Sequence, residues 1–376
     1  MIINVGYALI GQELELQRDV SIEIEGHLIT SIKRGFRDRG LTFKHGIAMP
    51  TLVNAHMHVL DYTFQEVGLD LEIGDLVSEP HGLKHKLIST LSEHDIRAST
   101  SRLFSRLIEQ GVHQVVIFCE RIEALKPLRD AAEALGLNAI LLARPKRIGD
   151  TITLHGALEG ADGLGLDSPL RYSVVELEVM RGMCSQRGLL KASHISETRG
   201  AHERGDLKLA LEHFDPDMIV HGVHLEEDEI KELADKGISL VLCPRSNMWF
   251  SSGLPPLKLF LKHGINLLVG TDNAAWVNPD LWRELEVLYN LSRLQGLKLD
   301  PREILKIATV NAHRVKNMKV KNNVLEEGLE ANFIVLDGEE LDIMYSHNIY
   351  ASIVKRASLK AVVHRVFSSP SRQRTL

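Results

Sequence analysis

The sequence predicts an α/β fold: a (β/α)8 barrel of the TIM type, with a small β-sandwich formed by both chain ends. Three observations predict it. From residue 47 onward, apolar runs of four to eight residues alternate with amphipathic stretches of ten to twenty, and eight such runs fit within about 240 residues. The runs are continuously apolar, as strands buried on both faces must be. No Gly-x-Gly-x-x-Gly follows a strand to support the competing topology, an open doubly wound sheet.

Residues 1 to about 46 read as short strands and turns. Val20-Ser21-Ile22-Glu23-Ile24-Glu25 alternates apolar and polar, Gly26-His27 turns, and Leu28-Ile29-Thr30-Ser31-Ile32 returns, which is a β-hairpin. Barrel strands are expected from Ile47 to His58, Val112 to Glu120, Asn138 to Pro145, Gly163 to Ser168, Leu189 to Glu197, Met218 to Val223, Ile238 to Pro244 and Ile265 to Asp272. Helices fill most gaps: Ser92 to Gln110 with Ser92-Glu93-His94-Asp95 as its cap, Ile122 to Leu135, Tyr172 to Arg187, Thr198 to His213, Glu226 to Lys236 and Pro279 to Leu294. The gap from Arg147 to Gly160 carries a weaker helical pattern.

Past the barrel, Pro301 to Ala308 is a helix with proline in its first turn. Asn332 to Asp337 and Leu359 to Phe367 read as strands with no place in a closed barrel, so they are expected to join the N-terminal hairpin. The expected division is 1–46 and 321–376 for the small β-unit and 47–320 for the barrel, with a frayed tail from Ser368 to Leu376.

Composition narrows the class. Hydrophobic content of 44% and charged content of 25% describe a soluble globular protein, and a net charge of -6 argues against nucleic-acid or membrane-surface partners. Three scattered cysteines, Cys119, Cys184 and Cys243, fit a reducing compartment without disulfides. No apolar run reaches the ~18 residues of a membrane helix, and the start lacks a secretory pattern. The expected location is the cytoplasm.

The chemistry gathers at the predicted strand ends, where barrel enzymes keep their active sites. Met49-Pro50-Thr51-Leu52-Val53-Asn54-Ala55-His56-Met57-His58 ends in two histidines at i and i+2, which share one face of a strand. Two neutral imidazoles side by side suit a divalent transition metal. With 18 histidines in the chain, such a pair alone is weak. The fifth strand, however, ends at His194, the sixth at His221 and the eighth at Asp272. Each could be ordinary, a hydrogen-bonded histidine or a helix-capping aspartate. Five together describe a catalytic metal site with a position left for water.

An ordered set of segments resembles the amidohydrolase superfamily, in its mononuclear deaminase and chlorohydrolase branch. The set is Leu52-Val53-Asn54-Ala55-His56-Met57-His58, His194-Ile195-Ser196-Glu197-Thr198, His221-Gly222-Val223-His224-Leu225, Cys243-Pro244-Arg245-Ser246-Asn247, Gly270-Thr271-Asp272, Ala308-Thr309-Val310-Asn311-Ala312 and Leu325 to Asp337. The resemblance implies one divalent metal, zinc or iron(II), on His56, His58, His194 and Asp272. It implies Glu197 as the carboxyl that shuttles a proton to a ring nitrogen, His221 as the group orienting the water or oxyanion, and Asp272 as proton acceptor. The implied reaction is hydrolytic deamination of a nitrogen heterocycle by a metal-bound hydroxide, on a small-molecule substrate, in a possible homodimer. Dechlorination or N-dealkylation at the same site is the alternative, and an idle metal-binding scaffold is another.

Some positions depart from the pattern or stay open. Pro50-Thr51 stands where Pro-Gly is usual, and Asn273 follows Asp272 where many relatives have serine. Arg245 could bind an anionic group or simply pair with a carboxylate. Lys191 lies an odd number of residues before His194, on the other strand face, which argues against a metal-bridging lysine. His224 is expected outside the centre. Glu66, His81, His85 and Trp276 are candidate pocket residues, and Trp249 could line the pocket or pack.

Overall fold

A computed structural model describes residues 1–78, 81–145 and 151–368. Nine strands make one parallel sheet: β5 (Leu52–His58), β6 (Val112–Cys119), β7 (Asn138–Ala143), β8 (Gly163–Leu166), β9 (Leu190–Ile195), β10 (Met218–His221), β11 (Ser239–Leu242), β12 (Leu267–Val269) and β13 (Asp272–Asn273). Their order is β12-β11-β10-β9-β8-β7-β6-β5-β13. β12 and β13 are separated by Gly270 and Thr271 alone, so both edges of the sheet belong to one run of chain. β12 pairs with β11 through Val269 and Leu242, and β13 pairs with β5 through Asp272 and Met57.

Gly270 explains the break. A Cβ there would lie 2.7 Å from the His56 backbone, so only glycine lets the last strand cross this close to the first. Inside the curled sheet, Val53, Ala55, Val116, Phe118, Ile140, Leu142, Leu190, Ala192, Met218, Val220, Val241 and Leu268 form one buried cluster. Ala312, Val315 and Met318 close it from the segment after the last barrel helix. Outer-facing residues pack with the helices in a second, larger cluster.

The predicted elements appear with trimmed ends. The helix Glu93–Glu109 opens on Ser92, with Asp95 completing a capping box, and Ser173 with Glu176 does the same for Val174–Arg187. A helix at Thr151–Glu159 occupies the weak gap, while 146–150 lie outside the described residues. The expected helix from Thr198 to His213 is broken into Arg199–Glu203, Asp206–Leu209 and a wider turn at Ala210–Phe214, because Gly205 takes a left-handed φ of 74°. The short helices Ile73–Val77, Leu83–Thr90 and Ile349–Arg356 had no distinct signal in the sequence. Among the described residues, no helix is long and apolar enough to cross a membrane.

The first expected strand is in fact two. β1 (Ile2–Ile10), β2 (Glu15–Glu25), β3 (Leu28–Arg34), β4 (Leu41–Pro50), β14 (Phe333–Leu336) and β15 (Val362–Val366) form a six-stranded sheet in the order β15-β14-β4-β1-β2-β3. The chain leaves this sheet at Thr51, after Pro50 pairs with Phe333, and enters β5 one residue later. The two chain ends therefore do meet, with the predicted β2–β3 hairpin intact, but in one sheet where a two-layered sandwich was expected. Its apolar face, including Ile3, Val5, Val20, Ile22, Ile29, Phe333 and Val335, is filled by Leu325 and Ala331 from the connecting segment. That segment takes the place a second sheet would occupy.

Candidate metal centre

β5 carries a bulge at the decisive point. Asn54 pairs with Val115 and Met57 with Ile117, so three steps of β5 oppose two of β6. Ala55 consequently faces the barrel interior and Met57 the outer layer, and His56 and His58 are re-aimed at the strand's C-terminal end. There they meet His194 from the end of β9, His221 from the end of β10 and Asp272 from the start of β13. His56 Nε2 lies 3.1 Å from Asp272 Oδ1, and His58 Nε2 lies 3.4 Å from the same oxygen and 3.2 Å from His194 Nε2. His56, His194, His221 and Asp272 can each offer one ligand atom with all four atoms within 4.8 Å of one another.

Three of these turns are strained. Ser196, His221 and Asp272 adopt left-handed φ values of 48°, 76° and 60° without being glycine. Such residues cost on the order of 1–3 kcal/mol each, and they gather where function needs an awkward side-chain direction. Here Ser196 and His221 turn the chain out of the ends of β9 and β10, and Asp272 turns it into β13.

Hydrogen bonds behind the imidazoles settle which nitrogen faces inward. His58 Nδ1 donates to Glu120 Oε1 at 2.6 Å, and His194 Nδ1 donates to the Leu166 carbonyl at 2.8 Å, which leaves both Nε2 lone pairs aimed at the centre. His221 has the opposite arrangement. Asn247 Nδ2 lies 3.0 Å from its Nδ1, and with the amide in this orientation a neutral His221 keeps its hydrogen on Nε2. Ser246 Oγ donates to Asp272 Oδ2 in a short bond and itself accepts from Asn273 Nδ2 at 2.9 Å, which leaves Oδ1 for the histidines.

The charges suit a cation. Burial lowers the pKa of His56, His58, His194 and His221, with the Lys84 charge adding to the effect at His58, so all four imidazoles are neutral at pH 7. Burial alone would raise Asp272, but the bond from His56 and the surrounding imidazoles hold its carboxyl well below the usual range. Three neutral nitrogens and one carboxylate oxygen are a donor set that fits a divalent transition metal.

A cavity of about 350 Å³ opens over this cluster. His58, His194, His221 and Asp272 form part of its lining, and Glu197 stands beside them with its Oε2 3.7 Å from His221 Nε2. Burial, and then the negative Asp272, push the Glu197 carboxyl up to about 8. The Glu197 side chain is 21% exposed, which keeps its carboxyl within reach of a molecule in the cavity. Two carboxyls in one cavity are thus pushed apart, one towards an acid and one towards a base.

Six residues read from the sequence, His56, His58, His194, Glu197, His221 and Asp272, come together here. Others do not. Arg245 donates to Glu284 Oε1 at 3.3 Å and to the Asn278 carbonyl, so it is a paired structural cation. Lys191 pairs with Asp215 at 2.9 Å, and His224 donates to the Ser252 carbonyl. Trp276 donates to the Val67 carbonyl and packs on Phe64 and Phe250, and Trp249 is 41% exposed. None of these, nor Glu66, His81 or His85, is among the residues that line the cavity.

Lining residues that sequence reasoning missed include Lys84, Arg144, Asp167, Arg171, Arg204 and Asp206. Lys84 sits on the helix Leu83–Thr90 and the others on segments between strands, and no spacing rule reaches them. The roles of Ser246 and Asn247 were also missed, although the Cys243-Pro244-Arg245-Ser246-Asn247 segment itself stood out.

Comparison with known proteins agrees with this architecture. Residues 47–369 match the model of the amidohydrolase family, and the chain belongs to that family. It is a hydrolase acting on carbon–nitrogen bonds. An uncharacterized protein of Methanocaldococcus jannaschii is 29% identical, over 94% of this chain and 95% of its own. A 5-methylthioadenosine/S-adenosylhomocysteine deaminase of Thermococcus onnurineus is 24% identical, over 95% and 90%. The crystal structure of an adenosine deaminase from Xanthomonas campestris with bound zinc superposes with a TM-score of 0.86, at 19% identity, over 98% of this chain and 91% of that one.

Proposed function

We propose that the chain is a mononuclear aminohydrolase that deaminates a nitrogen heterocycle. His56, His58, His194 and Asp272 would hold one divalent cation, zinc before iron(II). The observation that carries the reading is the placement of Glu197 and His221, 3.7 Å apart beside those donors and on the lining of one cavity. A purely structural site needs neither residue.

When bound, the cation supplies water acidified from a pKa of 15.7 towards about 7. The chain's own groups then divide the proton work. Asp272, ionised, takes a proton from the attacking water. Glu197, protonated, gives one to the ring nitrogen as negative charge develops there. His221, with hydrogen on Nε2, donates to the developing oxyanion. The amino group takes the proton held by Asp272 and leaves as ammonia, and the hydroxyl proton passes to Glu197 as the carbonyl forms. The name of the Thermococcus onnurineus relative supports an amino-substituted purine as the first class to try.

The same reading covers the finer architecture. We place a closed barrel in 47–320 and a small β-unit in 1–46 with 321–376, although β4 stays in the small sheet as far as Pro50. We place the chain in the cytoplasm on its composition and scattered cysteines, and a homodimer is the assembly the family resemblance implies.

The test is ammonia release by metal-replete protein over purines, their nucleosides, pyrimidines, pterins and triazines, with chloride and alkylamine release followed in parallel. Turnover of at least one amino-substituted ring is expected. Silence across the panel removes the deaminase reading, and release of chloride or alkylamine alone transfers the site to the alternative hydrolysis. Elemental analysis is expected to find close to one metal per chain.

A further inference from the structure

Behind His58 lies a buried row of charges that the reaction above does not use. His58 Nδ1 meets Glu120 Oε1 at 2.6 Å, Lys84 Nζ meets the same oxygen at 2.9 Å, and Lys84 Nζ also meets Asp61 Oδ2 at 2.9 Å. All four residues are buried. They come from three places: the end of β5 and the turn after it, the helix Leu83–Thr90, and the residue following β6.

We propose that Lys84 is a positioning residue for the metal ligand His58, acting through Glu120, and that it fastens the wall of the substrate cavity to the metal centre. The inference rests on the metal-centre reading above.

The location of Lys84 is unfavourable on local grounds. It sits in the first turn of a helix, where the dipole repels a cation, and it is out of water. Two carboxylates offset both penalties, and one of them is the acceptor that orients His58. Glu120 Oε2 has no partner among the described residues, so Glu120 is held through Oε1 alone, by Lys84 and His58 together. Without Lys84, the carboxylate can rotate about that single bond and the imidazole loses its fixed direction.

The helix carrying Lys84 also reaches the wall. His85 Nε2 donates to the Val77 carbonyl at 2.9 Å, and Ile73, Val77 and Ser78 line the cavity, as does Lys84 itself. Contacts made by a substrate with this wall are therefore transmitted to His58 through one ammonium group.

The test measures zinc affinity by competition with a chromophoric chelator in the full-length protein. Lys84→Met and Glu120→Gln are each expected to weaken zinc by about 10–100-fold. Because both act through one oxygen, the double variant should be no weaker than Glu120→Gln alone. The cobalt(II)-loaded variants should show a shifted visible spectrum, reporting a moved imidazole.

Lys191→Met is the control, since Lys191 is an equally buried, carboxylate-paired lysine away from the cavity. It should lose thermal stability with zinc affinity within twofold of wild type. If Lys84→Met does not fold, Glu120→Gln carries the same comparison. Unchanged zinc affinity in folded Glu120→Gln and Lys84→Met, or losses that multiply in the double variant, overturn the proposal. A wild-type chain that binds no zinc overturns the metal-centre reading itself.

Discussion

Asn247 donates its side-chain amide to Nδ1 of His221 at 3.0 Å, and this bond separates two uses of the same histidine. His56, His194, His221 and Asp272 are close enough to share an ion, while His58 Nε2 lies 3.4 Å from Asp272 Oδ1 and 3.2 Å from His194 Nε2. With Nδ1 as acceptor, the neutral ring keeps its hydrogen on Nε2 and cannot also offer a lone pair there. Asn247→Asp reverses the arrangement, because a carboxylate accepts from Nδ1–H and frees Nε2. Turnover should fall by at least about 100-fold, the effect of losing one oxyanion donor. Metal content should remain near one, and the cobalt(II) spectrum should gain nitrogen-ligand character. An Asn247→Asp variant with wild-type turnover would mean that His221 is a ligand after all.

Glu197 and Asp272 separate in a different experiment. Both line the cavity, but only Asp272 belongs to the donor cluster. Glu197→Gln should lower kcat by orders of magnitude while the chain still binds close to one zinc. Asp272→Asn should lower both, since an amide is a poorer ligand and cannot take the proton. Elemental analysis of the two variants beside their initial rates makes the check. Loss of zinc from Glu197→Gln would contradict the role given to it.

What could be read from the sequence was whatever local period or short spacing encodes. His56 and His58 share a strand end because two residues separate them, and His194, His221 and Asp272 end apolar runs. The bulge that aims His56 was invisible, since it is a property of the pairing between β5 and β6. So was the break at Thr51, where Pro50 belongs to one sheet and Leu52 to another. Arg245 could not be assigned because its partner, Glu284, lies 39 positions away on a different helix. Lys84, Asp61 and Glu120 form their contacts only after three segments converge, and each alone looks like an ordinary surface charge.

Ser196 pairs strain with a clamp. Its φ is 48°, while its backbone N donates to Asp206 Oδ2 at 2.6 Å and its Oγ donates to Asp206 Oδ1 at 3.0 Å. The next residue is Glu197, so the clamp fixes the direction of the proposed proton shuttle. Ser196→Gly removes the left-handed strain of about 1–3 kcal/mol together with the two Oγ hydrogen bonds, to Asp206 Oδ1 and His202 Nδ1, of about 1 kcal/mol each. The two effects roughly cancel, so thermal stability should hold within about 1 kcal/mol, while kcat falls about tenfold as Glu197 loses its fixed direction. Calorimetry beside steady-state kinetics would show it. A variant clearly less stable than wild type would place the value of Ser196 in folding.

The last prediction uses a buried acid away from the proposed ligands. Burial pushes Glu284 up to about 8 against the opposing charge of Arg245. In the unfolded chain the group titrates near its ordinary 4.5, so between those values the folded state holds a proton that the unfolded state has released. Stability must then fall as pH rises across that window, with a limiting slope of about 1.4 kcal/mol per pH unit from this one group. Glu284→Gln has no proton to lose. It keeps a neutral amide beside Arg245, as protonated Glu284 does, so its stability relative to wild type should be poorest near pH 5 and improve steadily towards pH 8. Urea midpoints of both proteins at three pH values measure the difference. A difference that stays flat, or runs the other way, would show Glu284 ionised throughout, with Arg245 holding it as a buried ion pair.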